Sequence, residues 1–289
     1  MKDVNEYKNT CNVGSEVTYS RTVINKSGKP NKLTLYFTEG ESILRSLTLS
    51  GYKYIRFIGA IPDTIEELIL DGAIDSGANS HIYNHLPELF PNLKRLVINN
   101  AQIRHLVAVP KGLRRLNLAR NFLVELPPLP ETLTGLIASR NRLVAIPDDL
   151  PEGLEILCLG DNYLVGDNVI DMDLVSLQID WTSSVSVTGK VDALSVTKYL
   201  DDTGPIIKYP VRRVSMAPSR IAAGVVPCMA KELSLSNASE DIPEDAFINL
   251  HNLDRITGPS KYKDIARSVN TRYIVDNRFE NKSRKYEGA

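Results

Sequence analysis

Three segments of this sequence repeat one pattern at nearly constant spacing: LRRLNLARN from Leu113, LTGLIASRN from Leu133 and LEILCLGDN from Leu154. The starts lie 20 and 21 residues apart. Each segment ends on asparagine (Asn121, Asn141, Asn162), and two residues later comes Leu123, Leu143 or Leu164. A unit this short cannot enclose a core of its own. Its apolar positions must be buried against the next copy, so the copies must stack.

The pattern continues with decay in both directions. Upstream are LRSLTLSG from Leu44, IEELILDG from Ile65 and LKRLVINNAQI from Leu93. Downstream are LVSLQIDW from Leu174, VDALSVTK from Val191, VRRVSMAP from Val211, AKELSLSN from Ala230 and LDRITG from Leu253, with a last strand expected near Tyr273–Val275. About eleven coils are expected to fill residues 41–276. A long insertion, DGAIDSGANSHIYNHLPELFPN, separates the second and third, and it reads as polar.

The first, fourth and sixth positions are apolar and point inward, and the L-x-L core of each copy reads as a strand because its side chains alternate. Successive strands pair in parallel, about 4.8 Å apart. The ninth-position asparagine turns inward, where its amide satisfies the backbone of a tight turn. The return legs, HLVAVPKG, VELPPLPET and VAIPDDLPEG, carry too much proline for a helix and favour extended backbone. The predicted fold is therefore a leucine-rich repeat solenoid with a parallel sheet on the concave face and a mostly extended, non-helical convex side. Residues 1–40 match no coil. EVTYSRTVI and NKLTLYFT, joined by NKSGKPN, predict a β-type N-terminal cap over the first apolar edge. The tail, residues 277–289, is polar and is expected to fray.

The run LNLARNFLVELPPLPETLTGLIASRNRLVAIPDDLPEGLEILCLGDNYL resembles the bacterial LPX-type leucine-rich repeats of the YopM-like and IpaH-like type III secretion effectors. The resemblance spans roughly residues 93–165 and rests on Leu126–Pro127, Leu129–Pro130, Ile146–Pro147 and Leu150–Pro151. It implies a virulence protein delivered into a host cell that engages a host protein. Two departures stand out. The N-terminus reads as β, where these effectors carry a helical hairpin. No segment is left for the ubiquitin-ligase domain of the IpaH-like members, and Cys158, followed by Leu159, Gly160 and Asp161, lacks the spacing of their catalytic cysteine.

Lys+Arg number 34 and Asp+Glu 35, which argues against a generally basic nucleic-acid binder and favours a protein partner. No run approaches the roughly 18 apolar residues of a membrane-spanning helix. The start MKDVNEYKNTCNVGSE lacks an apolar signal region, so a cytoplasmic origin is expected, with any export by a signal-peptide-independent route. Cys11, Cys158 and Cys228 are too few and too far apart for a disulfide framework or a metal pair. His81 and His85 stand four apart but lack a third ligand at a familiar spacing. No phosphate-binding loop, HExxH or G-x-S-x-G is present, so the chain reads as non-catalytic, without cofactor or metal.

The second, third, fifth, seventh and eighth positions of each coil face outward on the concave side, the usual binding surface of a solenoid. The coil at Leu93 offers Lys94, Arg95 and Val97; the next, Arg114, Arg115 and Arg120; the next, Ile137 and Arg140. Stacking sets Arg95 beside Arg115 and Arg120 beside Arg140. Glu66, Glu67 and Asp71 precede this basic patch, and Ile156, Asp161, Asp180 and Trp181 follow it. Arginine and tryptophan are enriched at interface hot spots. The candidate partner-binding set is Lys94, Arg95, Arg114, Arg115, Arg120, Ile137, Arg140, Ile156, Asp161 and Trp181. The plain alternative is a solvated face of mutually offsetting charges, with Trp181 buried in an irregular coil. The functional expectation is a monomeric protein-binding effector. A phage- or symbiont-encoded antagonist of a bacterial defence protein is an alternative. An enzyme or ligase adaptor with an unrecognised site is the reading from another class.

Overall fold

The computed structural model describes residues 19–24, 30–37, 44–50, 54–72, 80–200, 204–209, 211–216, 230–235, 253–264 and 272–275. The chain divides into two compact units, Met1–Leu154 and Glu155–Ala289.

Along the first unit run β1 (Tyr19–Ile24), β2 (Pro30–Tyr36), β3 (Ser46–Ser50), β4 (Tyr54–Ile58), β5 (Glu67–Asp71), the short helices α1 (Ser80–Tyr83) and α2 (Leu86–Leu89), then β6 (Arg95–Asn99), β7 (Arg115–Asn117) and β8 (Gly135–Ile137). Strands β3, β5, β6, β7 and β8 pair in parallel, one per coil. Their register aligns Leu47, Leu68, Leu96, Leu116 and Leu136 in one column. All five are at most 1% exposed. This column is the core: a leucine-rich repeat solenoid in which each coil's fourth position packs on the next.

Strands β1 and β2 form the antiparallel pair expected near the N-terminus, from Tyr19↔Tyr36 to Ile24↔Pro30. Strand β2 then continues in parallel onto β4, so the cap is joined by backbone hydrogen bonds to a coil's return leg. The link between β1 and β2, residues before 19 and the tail at 277–289 lie outside the described residues.

The proline-rich legs contain neither helix nor strand. Each ends in a Pro-x-x-Leu turn. The amides of Leu113, Leu133 and Leu154 donate to the carbonyls of Pro110, Pro130 and Pro151 at 3.1, 2.9 and 3.0 Å. The last proline of a leg thus also opens the turn that launches the next coil.

The asparagines do more than close their own turns. Asn141 Nδ2 donates to Ala138 O within its coil (3.0 Å) and to Leu118 O of the coil before (2.9 Å), while its Oδ1 accepts from Leu123 N (3.1 Å). Asn121 repeats this with Leu118 O (2.9 Å), Ile98 O (2.7 Å) and Ala101 N (3.0 Å). Both side chains are buried. One amide therefore satisfies two successive coils, whose turn groups would otherwise be orphaned away from water.

The insertion after β5 departs from the polar expectation. Ile82, Tyr83, Leu86 and Phe90 are buried, and the Phe90 ring meets Phe57 edge-on at 5.7 Å. His81 lies in α1 and His85 precedes α2, both exposed, so their spacing of four does not place them on one helix face.

The second unit contains β9 (Ile156–Cys158), β10 (Asn168–Ile170), β11 (Leu174–Trp181), β12 (Val185–Val187), β13 (Val191–Tyr199), β14 (Ile206–Ile207), β15 (Arg213–Met216), β16 (Glu232–Leu235), β17 (Arg255–Gly258) and β18 (Arg272–Val275). Strands β9, β11, β13, β15, β16, β17 and β18 form a parallel ladder. Strands β10, β12 and β14 form a second parallel sheet from the return legs. The cause is compositional. No proline occurs between Pro151 and Pro205, so these legs keep every amide donor and can pair, which the proline-rich legs cannot. Gly189 permits the close approach, since a Cβ there would lie 1.8 Å from Met172 O.

In this unit Asp180 does the work of a ladder asparagine. It was predicted to face outward, but it is only 5% exposed. Its carboxylate accepts from Asp161 N (3.0 and 2.9 Å), Asn162 N (3.2 Å) and Thr197 Oγ1 (2.6 Å). Gly160 makes the room: a Cβ at that position would come within 2.1 Å of Thr197 Oγ1.

Replacing Leu136 by Ala should destabilise the protein by roughly 2–5 kcal/mol in denaturant unfolding, and an unchanged midpoint would overturn the inward assignment of its column. Replacing Asp180 by Ala should cost about 2–3 kcal/mol by the same measurement, because it orphans the buried amide of Asn162 and the part-buried amide of Asp161.

Candidate protein-binding face

In the first unit strand register stacks the third-position column coil on coil. Strand register sets Glu67 beside Arg95, Arg95 beside Arg115, and Arg115 beside Gly135. Backbone bonds stack Arg120 on the following coil, its amide donating to Ser139 O at 3.0 Å. Arg114, Arg115, Arg120 and Arg140 are exposed, and Ile137 is half-buried. Val97, predicted to face outward, is 6% exposed and so offers a partner almost nothing.

The basic patch is narrower than the sequence suggests. Lys94 Nζ lies 2.5 Å from Glu66 Oε1, and the Arg95 guanidinium pairs with Glu67. The hydrogen bond from Lys94 holds the Glu66 carboxyl below its ordinary range, and those from Ser46 and then Arg95 do the same for Glu67. These acids do not merely border the patch; each neutralises the cation stacked on it. Such exposed pairs contribute little to stability, but they remove two charges from the face. Arg114, Arg115 and Arg120 differ. Among the described residues their side chains have no ion-pair or hydrogen-bond partner. Beside Arg115 the next coil offers Gly135, which covers nothing.

The remaining candidates belong to the second unit. Ile156 is 38% exposed. The Asp161 carboxylate is held by Lys198 Nζ at 2.7 Å, and that hydrogen bond raises the lysine's pKa. Asp161 is thus occupied within its own unit. Trp181 ends β11, in register with Tyr199. Cys158 is partly buried, and burial pushes its thiol pKa up, so the protonated form is favoured. Among the described residues no group of three His, Cys, Asp or Glu is placed to hold a metal ion, and no helix is long and apolar enough to cross a membrane.

The sequence reading missed two features. Arg120 and Arg140 sit at φ 60° in the left-handed region, where a long side chain is uncommon. Just past them Arg142 lies over the Phe122 ring, 4.6 Å from its centroid. The eighth-position column carried the first signal: Asn100 and Asp161, types that tolerate positive φ, occupy it in other coils.

No family model matches the chain, and no curated protein matches it. Among solved structures it is similar to YopM from Yersinia enterocolitica WA-314, at 22% identity and a TM-score of 0.37, over 78% of this chain and 52% of that one. The chain spans about half the length of that structure. The parallel ladder and its leucine column, rather than this loose likeness, carry the fold.

Proposed function

We propose that the chain is a non-catalytic repeat protein that binds a partner protein through the concave strands of its first unit, and that it acts as an effector on a host protein. The observation that carries this is the contrast between neighbouring columns. Lys94 and Arg95 are neutralised by Glu66 and Glu67, whereas Arg114 and Arg115, one coil on, stand exposed without a partner among the described residues. Two adjacent guanidiniums on a rigid sheet are preorganised to grip carboxylates in two-pronged fashion. Binding there immobilises little extra chain, because the strands are already fixed by the ladder. The L-P and I-P return legs support the effector assignment, since they resemble those of secreted bacterial repeat proteins.

The double charge reversal Arg114→Glu with Arg115→Glu tests the proposal. Wild-type protein immobilised on a resin should capture a defined partner from host lysate. The double variant should lose it by some thirtyfold in affinity, about 2 kcal/mol, with an unchanged melting temperature. Equal recovery of the same partner by the variant would overturn the proposal.

A further inference from the structure

Where the return legs of the second unit enter its long strands, an open cleft of about 510 Å³ reaches residues of three successive coils. That size falls within the range of ligand sites, roughly 300–1,000 Å³. Leu174 and Val191 line the cleft and are almost fully buried, while Val175 and Tyr209 line it at the surface, 53% and 38% exposed. Lys208 Nζ sits over the Tyr209 ring, 5.4 Å from its centroid, an attraction that steadies the ring. Register explains why these groups meet. Leu174 pairs with Val191 and Ala193 with Arg213, so Val175, Asp192 and Arg212 stand one beside the next in the column after the buried first positions. Just before those positions, the Lys190 amide donates to Asp173 Oδ1 at 2.8 Å.

The charges in the cleft do not balance. Asp192 stands beside Arg212, yet its carboxylate is taken by the guanidinium of Arg213. On the other side the next coil offers Lys231, a like charge, whose amide donates to Arg212 O at 3.0 Å. The Arg212 side chain is therefore exposed without an ion-pair or hydrogen-bond partner among the described residues, and so is the Lys190 ammonium. With Asp192 neutralised by Arg213, Asp173 is the acid left in the lining against two cations. One net positive charge beside an apolar surface complements a single carboxylate attached to an apolar group. A dianionic phosphate would meet Asp173 as well as the cations.

We infer that this cleft is a ligand site of the second unit that takes the C-terminal end of a peptide, its terminal carboxylate drawn to Arg212 and Lys190 and an apolar last side chain laid against Val175 and Tyr209. An α-carboxylate sets a single charge directly beside a side chain, and the cleft gathers the matching features within a few residues. Because the cleft is open, a free small acid would stay largely in water, whereas a peptide continues over the exposed rim and buries more of Val175 and Tyr209. Tyrosine and arginine are also side chains that anchor protein contacts. The site does not depend on Arg114 and Arg115, which belong to the other unit.

The test uses the full chain and a short fluorescein-labelled glycine–serine peptide ending in leucine with a free carboxylate, followed by anisotropy. The comparisons are the same peptide amidated at its end, an amidated peptide with an internal leucine–glutamate pair, and unlabelled isocaproate as competitor. Wild-type protein should bind the free-acid peptide, and amidation should weaken binding by roughly tenfold or more. Arg212→Gln should cost as much with an unchanged melting temperature, since the side chain is exposed. The amidated peptide probes the same charge on unaltered protein. No binding by the wild type, equal affinity for the amidated peptide, or unchanged affinity in Arg212→Gln would overturn the inference. Equally tight binding of isocaproate or of the internal leucine–glutamate peptide would overturn it too, by making the occupant a free acid or an internal segment. Arg114→Glu with Arg115→Glu should leave this affinity unchanged; a loss there would place the peptide on the first unit and not in the cleft. Failure of the concave face and failure of the cleft are thus distinguishable.

Discussion

Everything in the first unit depends on one side-chain amide being able to serve two coils. A coil of about 20 residues has too little interior to hide its own turn, so the turn's backbone groups must be satisfied by a neighbour. Asn121 and Asn141 do this with donors and acceptors used on both sides. The leucine column then packs at a spacing the asparagines have already set. Where that residue is lost, the requirement persists. In the second unit Asp180 reaches back from the following coil to bond the same kind of turn, and Gly160 and Thr197 supply the space and the extra donor.

How much of this could be read from residues alone follows from the range of each interaction. Strand positions, inward columns and the stacking of Arg95 on Arg115 were legible because they follow from period and alternation, which are properties of one coil repeated. The N-terminal strand pair was legible from two β-prone runs and a turn. Asp180 was not, because its burial is decided by a glycine in the preceding coil and a threonine in the next. Nor was the second sheet. Its signal was the absence of proline between Pro151 and Pro205 and the valine alternation of SVSV, which lies between two copies of the repeat.

The candidate face shows the same division. Outward placement of the arginines was legible, but their electrostatic state was not. Glu66 and Glu67 belong to an earlier coil and look, in one dimension, like a separate acidic stretch. Stacking turns them into partners of Lys94 and Arg95 and leaves Arg114 and Arg115 as the charges without a counterpart among the described residues. The unusual φ of Arg120 and Arg140 was hidden because sequence period locates a corner without giving its backbone conformation.

The stacking also bears on how the chain acquires its shape. Among the described residues, the hydrogen bonds that tie coil to coil reach only short distances along the sequence, from 14 residues between Tyr273 and Pro259 to 29 between Asn92 and Asp63 across the insertion. Among the described residues no bond of this kind requires distant segments to find each other first. The loop to be closed at each step is one coil, and its entropic cost is the same modest quantity each time. Folding can therefore start at any well-formed pair, such as the coils at Leu113 and Leu133, and advance outward one coil at a time. The growing end always offers the next segment a template of leucines and unsatisfied amides.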